Sequence, residues 1–192
     1  MASNRGRRNE EVDPLDGVEW VRVLDQEKND GEICTISEQG MLVLRIAPIP
    51  GLGPILANTR IYIGNDYSKR DIFSELLGFS RIRSISSRAK LEMPVVIESI
   101  IADDAAGYIA RFFNRAGNLS LKKHAFELLQ GVGNSKAQEM VAARGREGFK
   151  DMDDLEQRCG IAGAELLAQR FVLEIDDKKI QPRLCELISR SE

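Results

Sequence analysis

The hydrophobic period of this chain changes near residue 90, and that change limits what it can fold into. Up to Ser87 the apolar residues come in short runs rich in β-branched side chains, separated by turn residues. Beyond Pro94 they recur at three- and four-residue spacing, the period of an amphipathic helix. A single parallel α/β sheet alternates the two textures throughout, so the sequence predicts an α+β chain, with the strands first and the helices after.

The segments "VEWVRVLD" (18–25), "EICTIS" (32–37), "MLVLRIA" (41–47), "RIYIG" (60–64) and "RIRSISS" (81–87) read as five strands. The three residues "EQG" between the second and third give a hairpin signature. "YSKRDIFSELLG" (67–78) reads as a helix closed by Gly78, and "IPGLGP" (49–54) as an exposed loop. Five short strands in this length suggest a small OB-like β-barrel over 17–91. An OB-fold usually carries its helix between the third and fourth strands. Here it falls between the fourth and fifth, so either a strand is misassigned or the barrel is a variant.

A long connecting helix follows over 92–117. Pro94 sits in its first turn and Gly117 ends it, with Val96, Ile97, Ile100, Ile101, Tyr108, Ile109, Phe112 and Phe113 on its apolar stripe. Phe112 and Phe113 belong to the core on this spacing rather than to a base-stacking face. Residues 118–192 are then helical in short pieces: 120–129, 134–144, 149–160, 161–171 and 181–188. Residues 1–16 are polar and charged and read as a disordered tail.

Composition excludes several classes. The 192 residues are 43% hydrophobic and 30% charged, ordinary for a globular protein. No apolar run approaches the roughly 18 residues of a membrane helix, and no apolar stretch follows Arg5, Arg7 and Arg8 as a secretory signal requires. Three separated cysteines and one histidine make a zinc site or disulfide framework unexpected and suit a reducing, cytoplasmic setting. The net charge of −3 does not mark the whole molecule as a polyanion binder. The charge is unevenly placed: residues 9–32 hold nine acids against Arg22 and Lys28, whereas 60–90 and 111–146 are basic. Such segments suit a local phosphate-binding face or, more plainly, solvated helix surfaces.

The sharpest local feature is "ELLQGVGNSKAQEM" (127–140). Gly131 and Gly133 stand between two helical runs. A tight corner there exposes the start of the second helix, whose first N–H groups lack intrahelical partners and carry the positive end of the helix dipole. Glycines let a phosphodiester approach those amides. Val132 points inward, and Asn134, Ser135 and Lys136 form the first turn. Ser135 and Gln138 have capping-box spacing. Aligning Gly131 on Gly160 gives "GVGNSKAQ" against "GIAGAELL", a 29-residue period whose second copy keeps the packing and loses the phosphate chemistry. Lys122, Lys123 and His124 lie just upstream, and Tyr62, Arg81 and Arg83 mark a second, barrel-borne face for bases.

At Leu129, Gly131, Val132, Gly133, Lys136 and Ala137 the segment resembles the helix-hairpin-helix motif of DNA- and RNA-binding proteins. It departs at Gln130, where that motif usually has proline. From 18 to 172, and most at Arg60–Gly64, Phe112–Gly117 and His124–Gly133, the chain also resembles an archaeal family known only as a domain of unknown function, DUF655. The resemblance implies an OB-like barrel joined to a helix-hairpin-helix domain, an archaeal cytoplasm, a link to RNA metabolism, and ribosomal or rRNA-modification proteins as partners. The motif implies at most a monovalent cation at the hairpin; no other cofactor and no metal is expected.

These features predict a non-enzymatic protein that grips nucleic-acid backbone, RNA ahead of DNA. Two alternatives stand beside it. One is a DNA-repair glycosylase or nuclease, for which Asp151, Asp153 and Asp154 lie at a suggestive distance but read as helix-start acids, or a DNA-binding accessory factor. The other is a protein–protein assembly module, with the acidic stretch 9–32 docking on a basic partner.

Overall fold

The computed structural model describes residues 15–27 and 31–189; most of the predicted tail 1–16 lies outside them. Four of the predicted strands form as expected: β1 (Trp20–Gln26), β2 (Ile33–Ser37), β3 (Val43–Pro48) and β4 (Arg60–Tyr62). The fifth does not. The sequence predicts a helix over 67–78, but only Tyr67–Lys69 makes a 3-10 turn, and β5 runs over Phe73–Phe79. Phe73, Leu76 and Leu77 have helical spacing because β5 pairs with β3 through two irregularities that break the two-residue period. Gly78 lies inside the strand at φ +135°, a value that only glycine adopts freely. The predicted strand 81–87 is instead a 3-10 turn over Ile82–Ser84. Ile82 and Ile85 face inward three residues apart, which is a turn's spacing and not a strand's.

The strands form a curled antiparallel half-barrel in the order β4-β1-β2-β3-β5. Its two outer strands, β4 and β5, leave an open seam. A cavity of about 1010 Å³ lies there, bordered by Glu19, Tyr62, Asp66, Lys69, Arg70 and Phe73. Inside the curl Val21, Val23, Ile33, Leu44, Ile46, Ile61 and Phe73 make a small core.

Helix α1 (Ser87–Asp103) begins earlier than Pro94 predicts. Ser86 caps it, its Oγ accepting from the Ala89 N–H at 2.9 Å. Pro94 therefore lies inside the helix, where the carbonyl of exposed Lys90 loses its partner. The predicted single helix to Gly117 breaks at Asp104. A short α2 (Ala105–Tyr108) and a π turn (Ile109–Phe113) complete the connection.

The predicted helix 120–129 is absent. A two-stranded ribbon, β6 (Asn118–Ser120) and β7 (Lys123–His124), leads into a 3-10 turn over Ala125–Leu128. Helices α3 (Asn134–Arg144), α4 (Met152–Cys159), α5 (Gly163–Asp176) and α6 (Leu184–Ile188) follow near their predicted places. Helix α1 packs on β1 on one side and on α5 on the other. The larger core is accordingly continuous, running from Leu24, Ile36 and Val43 on the sheet's outer face to Phe113, Phe126, Leu155 and Phe171 among the helices. Phe112 and Phe113 are buried in it, as their spacing predicts.

Candidate nucleic-acid interface

The 3-10 turn at Ala125–Leu128 delivers the chain into the corner Gln130–Gly133. Leu128 and Leu129 are buried, and the Val132 N–H donates to the Leu129 carbonyl at 3.1 Å. Val132 is 6% exposed and joins the larger core. It pins the corner from inside, while Gln130, Gly131 and Gly133 face out. Gly131 has φ +79°, and neither it nor Gly133 has another atom near the place a Cβ would occupy. The outer side of the corner is thus bare backbone with open space around it.

Gly133 is the N-cap of α3, and no side chain caps the helix. The predicted Ser135–Gln138 capping box does not form. Gln138 Nε2 donates to Asn134 Oδ1 at 3.0 Å instead, and Ser135 stays exposed. The first amides of α3 therefore keep free donor capacity at the positive end of the helix. Lys136 is half-buried on the first turn, paired with Glu139 at 3.1 Å on the surface. Ala137 is fully buried, which permits close packing behind the corner.

The 29-residue period has a structural counterpart. Gly160 has φ +62°, Ala162 is the uncapped N-cap of α5, and α5 starts three residues after Gly160, as α3 starts three after Gly131. The second corner differs in chemistry: Ala162 replaces Gly133, and Glu165 stands where the first has Lys136. Glu165 accepts from Gln169 Nε2 at 2.9 Å. Gly163 is packed so tightly that a Cβ would lie 2.5 Å from Leu155 Cδ2. The second corner is built for packing.

Lys122 and Lys123 are exposed on the ribbon, and β7 packs against α3. The contact is toward the Arg144 end of α3, since Arg144 acts on the His124 ring and lies over Phe126. At the ribbon's tip Leu121 is fully exposed. His124 ends β7 and caps the 3-10 turn, with its Nδ1 accepting from the Phe126 N–H at 3.1 Å. Burial, and then the charge of Arg144, hold its pKa below the usual histidine value.

The barrel-borne residues are not brought to this face as a stacking platform. Tyr62 is 3% exposed, edge-on to Trp20 with centroids 5.0 Å apart, and has no open ring face for a base. Arg81 and Arg83 are exposed but lie on the turn after β5, not on a strand. The basic count over 111–146 also overstates the free charge. Arg111 is tied to Asp104 and the Ile188 carbonyl, and Arg144 donates to the carbonyls of Phe113 and Ala116. Arg115 and Arg146 are exposed without ion pairs among the described residues; in the sequence nothing distinguishes them from the engaged arginines. Asp151 caps α4, accepting from the Asp154 N–H at 2.7 Å, which is the helix-start role its position suggests. Among the described residues no three potential ligand side chains gather as a metal site, and no helix is long and apolar enough to cross a membrane.

A family model described as a protein of unknown function, DUF655, matches residues 23–184. An uncharacterized protein of Methanocaldococcus jannaschii is 24% identical over 144 residues, or 75% of this chain; the match spans 64% of that relative's length. A crystal structure from Archaeoglobus fulgidus, described as family-model DUF655, superposes with a TM-score of 0.78 and 27% identity. The superposition covers 88% of this chain and 99% of that one.

Proposed function

The chain belongs to the archaeal DUF655 family, and from that premise we propose that it is a non-enzymatic, cytoplasmic nucleic-acid-binding protein that holds backbone phosphates at the corner Gly131–Lys136. The observation that carries this reading is the uncapped start of α3 behind an open glycine corner, anchored from within by Val132. In this reading the corner is a helix-hairpin-helix whose leading helix is cut to one 3-10 turn. The amides of α3 take a phosphate oxygen, Lys136 supplies charge beside it, and the exposed Lys122 and Lys123 extend the basic surface along the ribbon. Contacts of this kind position a backbone without reading sequence. We read the half-barrel as OB-like; what supports this is the strand order, with β1 between β2 and β4 and with β5 on β3. RNA is the favoured ligand.

The test is fluorescence anisotropy with a structured RNA and a duplex DNA of equal length over a range of salt. About three neutralised phosphates give a log–log slope near −3 on duplex. Lys136→Glu should weaken binding of all sequences alike, since its ion pair with Glu139 is on the surface and the loss of that pair leaves the fold intact. Wild-type affinity in that variant would remove the corner as the contact.

A further inference from the structure

A second cavity, of about 570 Å³, lies where the sheet, the end of α1 and the segment after α6 meet. Phosphate binding at the Gly131 corner makes no use of it. Three guanidinium groups and three carboxylates line it: Arg22, Arg60 and Arg111 against Glu38, Asp103 and Asp104. Most of the guanidinium nitrogens are engaged. Buried Arg22 gives Nε to Glu38 at 2.8 Å and Nη1 to Asn58 at 3.2 Å, and Nη2 to Asp103. Arg60 places Nε and Nη2 on the two oxygens of Glu38, each at 2.8 Å. Arg111 is held by the Ile188 carbonyl and Asp104. The Ser189 hydroxyl accepts from the Gly40 N–H and donates to the Cys185 carbonyl.

The remaining capacity is of the opposite kind. Tyr108 is 2% exposed and lines the cavity, so its hydroxyl is a polar group beside it. Gln39 Oε1 is buried without a partner in the same cavity. Native interiors rarely leave such an oxygen unmatched. Asp103 and Asp104 have side chains 66% and 53% exposed, and each uses a single oxygen in its ion pair. A network that served only to join sheet and helices would account for the arginine–carboxylate pairs but not for the unmatched Gln39 oxygen.

The wall's unmatched acceptors are Gln39 Oε1 and the second oxygens of Asp103 and Asp104; Nη1 of Arg60 and of Arg111 remain as donors at its edge. A primary ammonium carries three donors and no acceptor, and Ile100 supplies an aliphatic surface beside it. We propose that this cavity binds a linear aliphatic polyamine in its protonated form, its ammonium groups taken by Gln39 Oε1, the Tyr108 hydroxyl and the free oxygens of Asp103 and Asp104. The site is independent of the Gly131 corner.

Calorimetric titration of the full chain with putrescine and spermidine tests this. Saturable binding is expected, together with a raised melting temperature. Tyr108→Phe keeps the ring packed on Phe171 and under Arg111, and should weaken binding about tenfold, as loss of a hydrogen bond to a charged group does. Gln39→Leu should do the same, and N,N′-diacetylputrescine should not bind the wild type. No saturable binding up to roughly 10 mM, or binding unchanged in both variants, overturns the proposal. So does tighter binding of Nα-acetyl-lysine methylamide than of either polyamine, which would assign the cavity to a lysine of a protein.

Discussion

His124 and Glu127 cap one turn reciprocally: the ring Nδ1 of His124 accepts from the Phe126 N–H at 3.1 Å, and Glu127 Oε1 accepts from the His124 N–H at 2.7 Å. This box holds the 3-10 turn that feeds the glycine corner. It requires Nδ1 to be unprotonated, so the native state uses neutral His124. Burial first and Arg144 second keep the folded pKa below that of the unfolded chain, with Glu127 opposing.

The pH dependence follows from that direction. Above the unfolded value near 6.5 both states are neutral and the contribution is complete. As pH falls below it, the unfolded chain takes up a proton first, so stability is lost progressively down through the folded pKa. His124→Asn retains a capping side chain that does not titrate, and should flatten this part of the profile. Urea titrations of both proteins between pH 5 and pH 8 measure it; parallel profiles would show that the cap is not the titrating element.

The glycine corner separates stability from binding. Gly131 needs φ +79°, and an alanine there is strained although nothing crowds it; Gly131→Ala should lower stability by about 1 kcal/mol. Gly133 has φ −87° and ψ 179°, extended backbone open to any residue. Gly133→Ala should change stability by about 0.5 kcal/mol at most. Its Cβ would nevertheless stand on the outer side, where a phosphodiester has to approach. Gly133→Ala should therefore weaken nucleic-acid binding several-fold with almost no change in denaturation midpoint. Undiminished affinity in this variant would mean that no backbone comes close to the corner.

The parts of this fold that were legible in the sequence are those where one local signal is not contested. Val21 and Val23 alternate cleanly toward one core, and α3 is bracketed by Gly133 and Gly145. The 29-residue period located a second corner with the same three-residue offset from glycine to helix. Failures came where tertiary pairing overrode a period. The irregular pairing of β5 with β3 gave Phe73, Leu76 and Leu77 a helical spacing. In "NLSLKKH" the alternation of Leu119 and Leu121 marks a ribbon, yet both leucines face solvent, so no core demand reinforced the signal. The Gln39–Tyr108 cavity left no trace. Tyr108 sits in a stripe of core residues, and only its hydroxyl, which hydrophobic patterning ignores, sets it apart.

Glu174 gives the last prediction. Its side chain is fully buried in α5, where one oxygen takes Arg170 Nε and the other accepts from the Cys185 N–H at 2.9 Å, in the first turn of α6. Its backbone carbonyl accepts from Arg183 Nη1 at 2.6 Å. One carboxylate thus neutralises a nearly buried arginine and ties α6 to α5. Glu174→Leu strands the Arg170 charge and the Cys185 amide, and should cost about 3–5 kcal/mol. Glu174→Gln retains an acceptor and should cost less, about 1–3 kcal/mol. The Cys185 thiol reports the same contact: burial, followed by the charge of Glu174, pushes its pKa up to about 12, so at pH 8 it is almost wholly protonated and unreactive. Site-resolved labelling with iodoacetamide at pH 8 should find Cys185 silent in the wild type and faster in Glu174→Gln, where the repelling charge is gone and α6 is less firmly held. Equal rates in the two proteins would show that α6 is held by its apolar contacts alone.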